Sequence, residues 1–192
     1  MKNLALILIA ILTSVVGLAT NYSSAGSGNW NSSSTWSPSG VPGTGDAVTI
    51  SPAHTVTVTA NAACASLVMN NKAALGGATT TKLIINVGYA LTVSGNITQN
   101  VTVSGLSTAG CQIDVLGTLN CQGNFTQNHS LLALLGGANA LVIGNATNSG
   151  TVNITGTFTQ QNGLITALGI ANSVSLRQGV LNIDGTVTFV GG

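Results

Sequence analysis

The chain has 192 residues, of which 4% are charged, 4% aromatic and 44% hydrophobic, with 25 glycines. Its acids are Asp46, Asp114 and Asp184 and its bases are Lys2, Lys72, Lys82 and Arg177, so glutamate is missing altogether. A charge-rich disordered tail is excluded because the chain is too apolar. Nucleic-acid binding is disfavoured because so few cations cannot neutralise a phosphate backbone, and acid–base or metal chemistry is poorly supplied.

Met1–Ala19 reads as a secretory signal. Lys2 is the positive n-region, Leu4–Leu18 is apolar apart from Thr13, Ser14 and Gly17, and Gly17-Leu-Ala19 offers small residues for cleavage. The alternative is a membrane anchor, which needs roughly 20 apolar residues; this run is shorter and interrupted. Removing it leaves chain enough for one domain. The remaining charges are Lys72, Lys82 and Arg177 against the three aspartates, so the mature protein is neutral and without electrostatic steering. The expectation is a secreted or cell-surface protein with no transmembrane span in its mature form.

Residues 20–60 are expected to form an N-terminal cap and the first strands. Asn21–Gly40 is rich in Ser, Gly and Asn and carries Trp30 and Trp36. From Ala47 the pattern alternates with period two. Val48-Thr-Ile50 and Val56-Thr-Val58 read as strands about the turn Ser51-Pro-Ala-His54. No helix-period stretch follows, although Leu131–Leu135 could form one helical turn before Gly136 and Gly137.

Residues 61–192 carry an internal repeat. Leu91-Thr-Val-Ser-Gly-Asn-Ile-Thr-Gln99, Leu119-Asn-Cys-Gln-Gly-Asn-Phe-Thr-Gln127, Val152-Asn-Ile-Thr-Gly-Thr-Phe-Thr-Gln160 and Leu181-Asn-Ile-Asp-Gly-Thr-Val-Thr-Phe189 align without gaps. Their glycines, Gly95, Gly123, Gly156 and Gly185, lie 28, 33 and 29 residues apart. A weaker fifth copy begins at Leu67. Side chains of a strand alternate between faces. One face then carries Leu91, Val93, Ile97 and their equivalents. The other carries three polar columns: Thr98, Thr126, Thr159, Thr188; Asn96, Asn124, Thr157, Thr186; and Thr92, Asn120, Asn153, Asn182.

A period near thirty without helices predicts an all-β parallel β-helix, a solenoid whose stacked coils share one core and whose Thr and Asn columns run along the stack. Glycine at the shared column permits close approach between coils. An antiparallel outer-membrane barrel fits poorly, since it needs a lipid-facing band with aromatic girdles. The run Thr186–Gly192 stops directly after a strand-like pattern. The expectation is either a longer protein or a last strand covered by a partner, including end-to-end self-association.

Gly26-Ser-Gly-Asn-Trp30-Asn-Ser-Ser-Ser-Thr-Trp36, Gly40-Val-Pro42-Gly-Thr-Gly-Asp46-Ala-Val-Thr-Ile50 and His54-Thr-Val-Thr-Val58 together resemble the N-terminal module of large secreted β-solenoid proteins of Bacteroidetes-type bacteria. That module is similar to the extracellular domain named for its eight glycines. The resemblance spans about Gly26–Asn70. It implies a right-handed helix, export to the cell surface and a longer chain, and it carries no catalytic motif onto any residue here.

The candidate ligand-binding face comprises Trp30, Trp36, Thr98, Thr126, Thr159, Thr188, Asn96 and Asn124. The tryptophans could stack on sugars; as large aromatics they could equally plug the open end of the first coil. Asp46, after Gly43-Thr-Gly45, is expected to close a turn onto the backbone. His54 reads as a structural turn residue and His129 as part of a solvated loop. Asp114 and Asp184 both point outward, but on different strands and about two coils apart, too far for a glycosidase pair. Cys64, Cys111 and Cys121 are an odd number; free core thiols are the first reading and a Cys111–Cys121 bridge the second. No cofactor, metal or catalytic site is expected. Eight Asn-x-Ser/Thr sequons, including those at Asn96, Asn124 and Asn153, follow from the recurring Asn and Thr columns.

The sequence therefore predicts a non-enzymatic structural or adhesive module, with polysaccharide or another surface protein as partner. A carbohydrate-binding module is an alternative. Ice binding by the threonine column is another, weakened by the asparagines beside it.

Overall fold

The computed structural model describes residues 18–73, 79–103, 110–129, 139–162 and 172–191. The signal-like residues 1–17, the Leu131–Leu135 run and the other residues between these segments lie outside that set. The described chain winds through three sheets in turn, A to B to C and back to A.

Sheet A has eight strands, in the order Val187–Val190, Phe158–Gln161, Phe125–His129, Ile97–Val103, Ser66–Ala73, Ala47–Ile50, Asn21–Ser24 and Trp36–Ser37. Sheet B has six: Ser173–Leu176, Ala140–Ile143, Cys111–Val115, Thr81–Ile85, Thr55–Val58 and Gly28–Asn29. Sheet C has five: Gly179–Ile183, Gly150–Ile154, Thr118–Cys121, Ala90–Val93 and Ala62–Cys64. Neighbours are parallel throughout except Asn21–Ser24 with Trp36–Ser37, which is antiparallel. This is a parallel β-solenoid.

The register follows the ungapped alignment. Leu91, Leu119, Val152 and Leu181 are successive partners, as are Thr98, Thr126, Thr159 and Thr188. The fifth copy needs correction. Leu67 pairs with Ile97, in the second half of the repeat, and Ala62-Ala63-Cys64 fills the first half beside Leu91-Thr92-Val93. The sequence signal was weak because two alanines stand where later copies have large residues.

Alternation decides what the shaft contains. Leu83, Leu91, Ile97, Ile113, Leu119 and Phe125 are fully buried, and their burial from every sheet is the main stabilising term, roughly 1.5–3 kcal/mol per side chain. Phe125 and Phe158 stack on adjacent coils with ring centroids 5.5 Å apart. The last coil is different: Leu176, Val187 and Phe189, which continue the inward columns, are exposed.

Two polar devices lie inside this core. The first is a glutamine ladder. Gln127 Nε2 donates to Gln99 Oε1 at 2.8 Å, and Gln160 Nε2 donates to Gln127 Oε1 at 2.7 Å. All three residues are buried, since Gln99 has the same inward parity as Ile97. The second pins the corner where sheet A passes to sheet B. Thr81, Cys111, Asn139 and Asn172 occupy one column, and each donates to the carbonyl of a sheet-A residue eleven positions earlier: Asn70, Asn100, Asn128 and Gln161. Asn139 and Asn172 donate again to Gln99 and Gln127 of the coil below, and Cys111 shares its single S–H proton between the Asn100 and Met69 carbonyls. Backbone carbonyls buried at the corner are thereby satisfied.

The glycine column works by close approach. A Cβ on Gly123 would sit 2.6 Å from the carbonyl carbon of Gly95 and 2.7 Å from its oxygen. The Gly123 amide instead donates to that oxygen at 3.0 Å, and Gly156 repeats the bond to Gly123 at 3.1 Å.

Candidate functional site

The eight candidate residues do not form one surface. Trp30 and Trp36 are buried, 1% and 2% exposed. Their rings meet edge to face with centroids 5.0 Å apart, and Trp36 Nε1 donates to the Trp30 carbonyl at 2.6 Å. Neither ring offers a free face, so the sugar-stacking platform is not available. Both join the hydrophobic core at the first turn, where their large apolar area is better spent.

The threonines and asparagines lie on the surface but differ in what they have left to give. Asn96 Oδ1 accepts from the Asn124 amide at 2.9 Å, and Asn124 Oδ1 accepts from the Thr157 amide at 2.8 Å. These side chains staple the turn before sheet A to the coil above. The sheet-C column is a side-chain ladder: Asn153 Nδ2 donates to Asn120 Oδ1 and Asn182 Nδ2 to Asn153 Oδ1, both at 2.8 Å. On sheet A, Asn128 donates to Asn100 at 2.9 Å and Asn100 to Asn70 at 3.1 Å. The hydroxyls of Thr98, Thr126, Thr159 and Thr188 have no hydrogen-bond partner among the described residues. They stand half-buried in register about 4.8 Å apart. Thr49 continues the column toward the N-terminus, interrupted by Val68.

The titratable groups are separately placed. Asp46 accepts from the Gly43 amide and from the Thr20 amide, each at 2.8 Å, closing its turn and tying it to the start of the first strand. His54 Nδ1 shares a 2.8 Å hydrogen bond with Ser24 Oγ, a structural turn contact. His129 corrects the loop reading: it ends the strand Phe125–His129, pairs with Val101 and is buried. Phe125, Gln127 and His129 share the inward parity. Asp114 lies on sheet B, 3.4 Å from Lys82 Nζ, and Asp184 follows the last strand of sheet C. Among the described residues, no three of His, Cys, Asp and Glu gather where they could hold a metal ion.

The cysteines are all free and buried, so no Cys111–Cys121 bridge exists. Burial, with a smaller contribution from the charges of Asp46 and Cys121, pushes the Cys64 thiol up to about 12. Burial also raises Cys111 to about 12 and Cys121 to about 11, against hydrogen bonds that lower both. Such thiols stay protonated and unreactive at neutral pH.

One further feature was not read from sequence: an open concavity of about 310 Å³ on the outer face of sheet B, over Gly144, among Ile84, Asp114, Leu116, Val142 and Arg177. No helix among the described residues is long and apolar enough to cross a membrane. Comparison with protein-family models, with curated proteins and with solved structures finds no match.

Proposed function

We propose that this chain is an exported, non-enzymatic β-solenoid that acts as a structural and adhesive module, touching its partner through the threonine column of sheet A. The observation that carries this reading is the row Thr98, Thr126, Thr159 and Thr188: four hydroxyls in register on one sheet, without hydrogen-bond partners among the described residues. The adjoining asparagines are spent on holding coils together, so the row is both fixed in place and chemically available. A polysaccharide or another surface protein is the partner class such hydroxyls suit. In the same reading the Trp30–Trp36 pair closes the first coil, and Met1–Ala19 is removed on export.

Beads coated with the purified protein would be tested for retention on polysaccharide-coated and protein-coated surfaces. Retention should fall when all four threonines become valine. Equal retention by the variant, or none by the wild type on any surface, defeats the adhesive reading.

The same spaced hydroxyl row supports ice binding as a second reading, against which stand Val68 and the asparagine column alongside. A thermal-hysteresis measurement separates the two: a zero reading removes ice binding and leaves adhesion intact.

A further inference from the structure

Outward positions on sheets A and C carry mainly Thr, Asn and Gln, but sheet B departs from this. In one register column, Thr57–Ile84–Asp114–Val142–Ser175, two aliphatic side chains flank a carboxylate. In the turn that follows, Leu116, Gly144 and Arg177 are equivalent, since their amides bond to the Ile85, Val115 and Ile143 carbonyls of the coil below. Gly144 has φ +74°, and a Cβ there would run into the Gln178 carbonyl. The gap between Leu116 and Arg177 is therefore built into the backbone.

The resulting concavity crosses four successive strands, roughly 14 Å at about 4.8 Å per step. Its walls are Ile84, Leu116 and Val142. Its two charges are in different states. Asp114 is matched, by Lys82 at 3.4 Å and by Gln112 Nε2 at 2.6 Å. Arg177 has no ion-pair partner among the described residues. In a chain with so few charges, an unspent guanidinium beside an aliphatic wall selects a ligand of matching polarity.

We propose that this concavity binds a small aliphatic monocarboxylate, its carboxylate on the Arg177 guanidinium and its hydrocarbon body against Ile84, Leu116 and Val142. Selectivity for one carboxylate follows because Lys82 is already paired with Asp114, which leaves no second free cation beside the concavity among the described residues. The site lies on a different sheet from the threonine column and stands or falls separately from the adhesive reading.

The test is a titration of the isotope-labelled protein followed by amide chemical shifts. Hexanoate should shift Ile84, Leu116, Val142 and Arg177 amides, with a Kd on the order of 1 mM for so small a ligand. Hexanol and hexylammonium should leave them in place. Arg177→Gln should weaken hexanoate about tenfold, the loss of one charge-assisted contact. Val142→Thr, which restores the polar pattern of the other faces, should weaken it several-fold with the spectrum otherwise unchanged. A parallel titration with N-acetyl-leucine distinguishes sources: tighter binding than hexanoate assigns the carboxylate to a peptide terminus, weaker binding to a free alkanoate, and either upholds the site. Equal shifts with hexanol, shifts located elsewhere, or an unaffected Arg177→Gln variant would overturn it.

Discussion

Replacing Gln127 by leucine tests the interior ladder. Gln127 is fully buried and uses both ends of its amide. The substitution keeps an apolar body of similar size but leaves Gln99 Oε1 without its donor and Gln160 Nε2 without its acceptor. Each stranded buried group costs about 1–3 kcal/mol, so the variant should lose roughly 2–6 kcal/mol. With a urea dependence of about 2 kcal/mol per molar, the unfolding midpoint should fall by roughly 1–3 M. The triple variant Gln99→Leu, Gln127→Leu, Gln160→Leu removes every ladder amide together. It takes donors only from the Cys111 and Ala140 carbonyls. It should therefore be no less stable than the single variant, a strong non-additivity. A single variant with an unchanged midpoint, or a triple variant that loses about three times as much, would refute the reasoning.

Gly123→Ala should destabilise by about 2 kcal/mol or more, because its Cβ meets the Gly95 backbone, which cannot swing aside, as well as the Asn96 side-chain oxygen; thermal unfolding reads the loss. The three thiols should resist a thiol-reactive dye in the folded protein and all react in denaturant. Their folded values, raised from 9.0 to about 11 and about 12, stabilise the fold fully below about pH 9. Above that the unfolded chain releases protons that the folded chain retains, so the urea midpoint should decline as pH rises toward 12. Lys82→Met should change stability by less than about 1 kcal/mol, because its bridge to Asp114 is partly exposed.

The columns were legible because the repeat is ungapped from Leu91 to Gln99 and in each later copy, and a parallel stack turns equal sequence positions into neighbours. Parity also held the buried glutamines in plain view: Gln99 is two residues from Ile97. Polarity argued the other way, and only the continuous ladder resolves the conflict by giving each amide its partner. The corner column was hidden because Thr81, Cys111, Asn139 and Asn172 share no residue type. They share only the ability to donate a hydrogen bond. Trp30 and Trp36 illustrate the opposite limit: composition marks them as large aromatics, but which way they face depends on contacts between first-turn segments with no repeat. The sheet-B concavity was illegible because it joins Ile84 to Arg177 across four coils, through a gap set by the backbone of Gly144.

The stack itself is tested most directly by through-space proton contacts in the labelled protein, which at 19.0 kDa is within reach of solution NMR. The parallel register predicts contacts between the Thr98 and Thr126 backbones, between Thr126 and Thr159, and between Asn120 and Asn153, without short Hα–Hα pairs across these strands. Strong cross-strand Hα–Hα contacts pairing those segments antiparallel, or no contact between Thr98 and Thr126, would contradict the account.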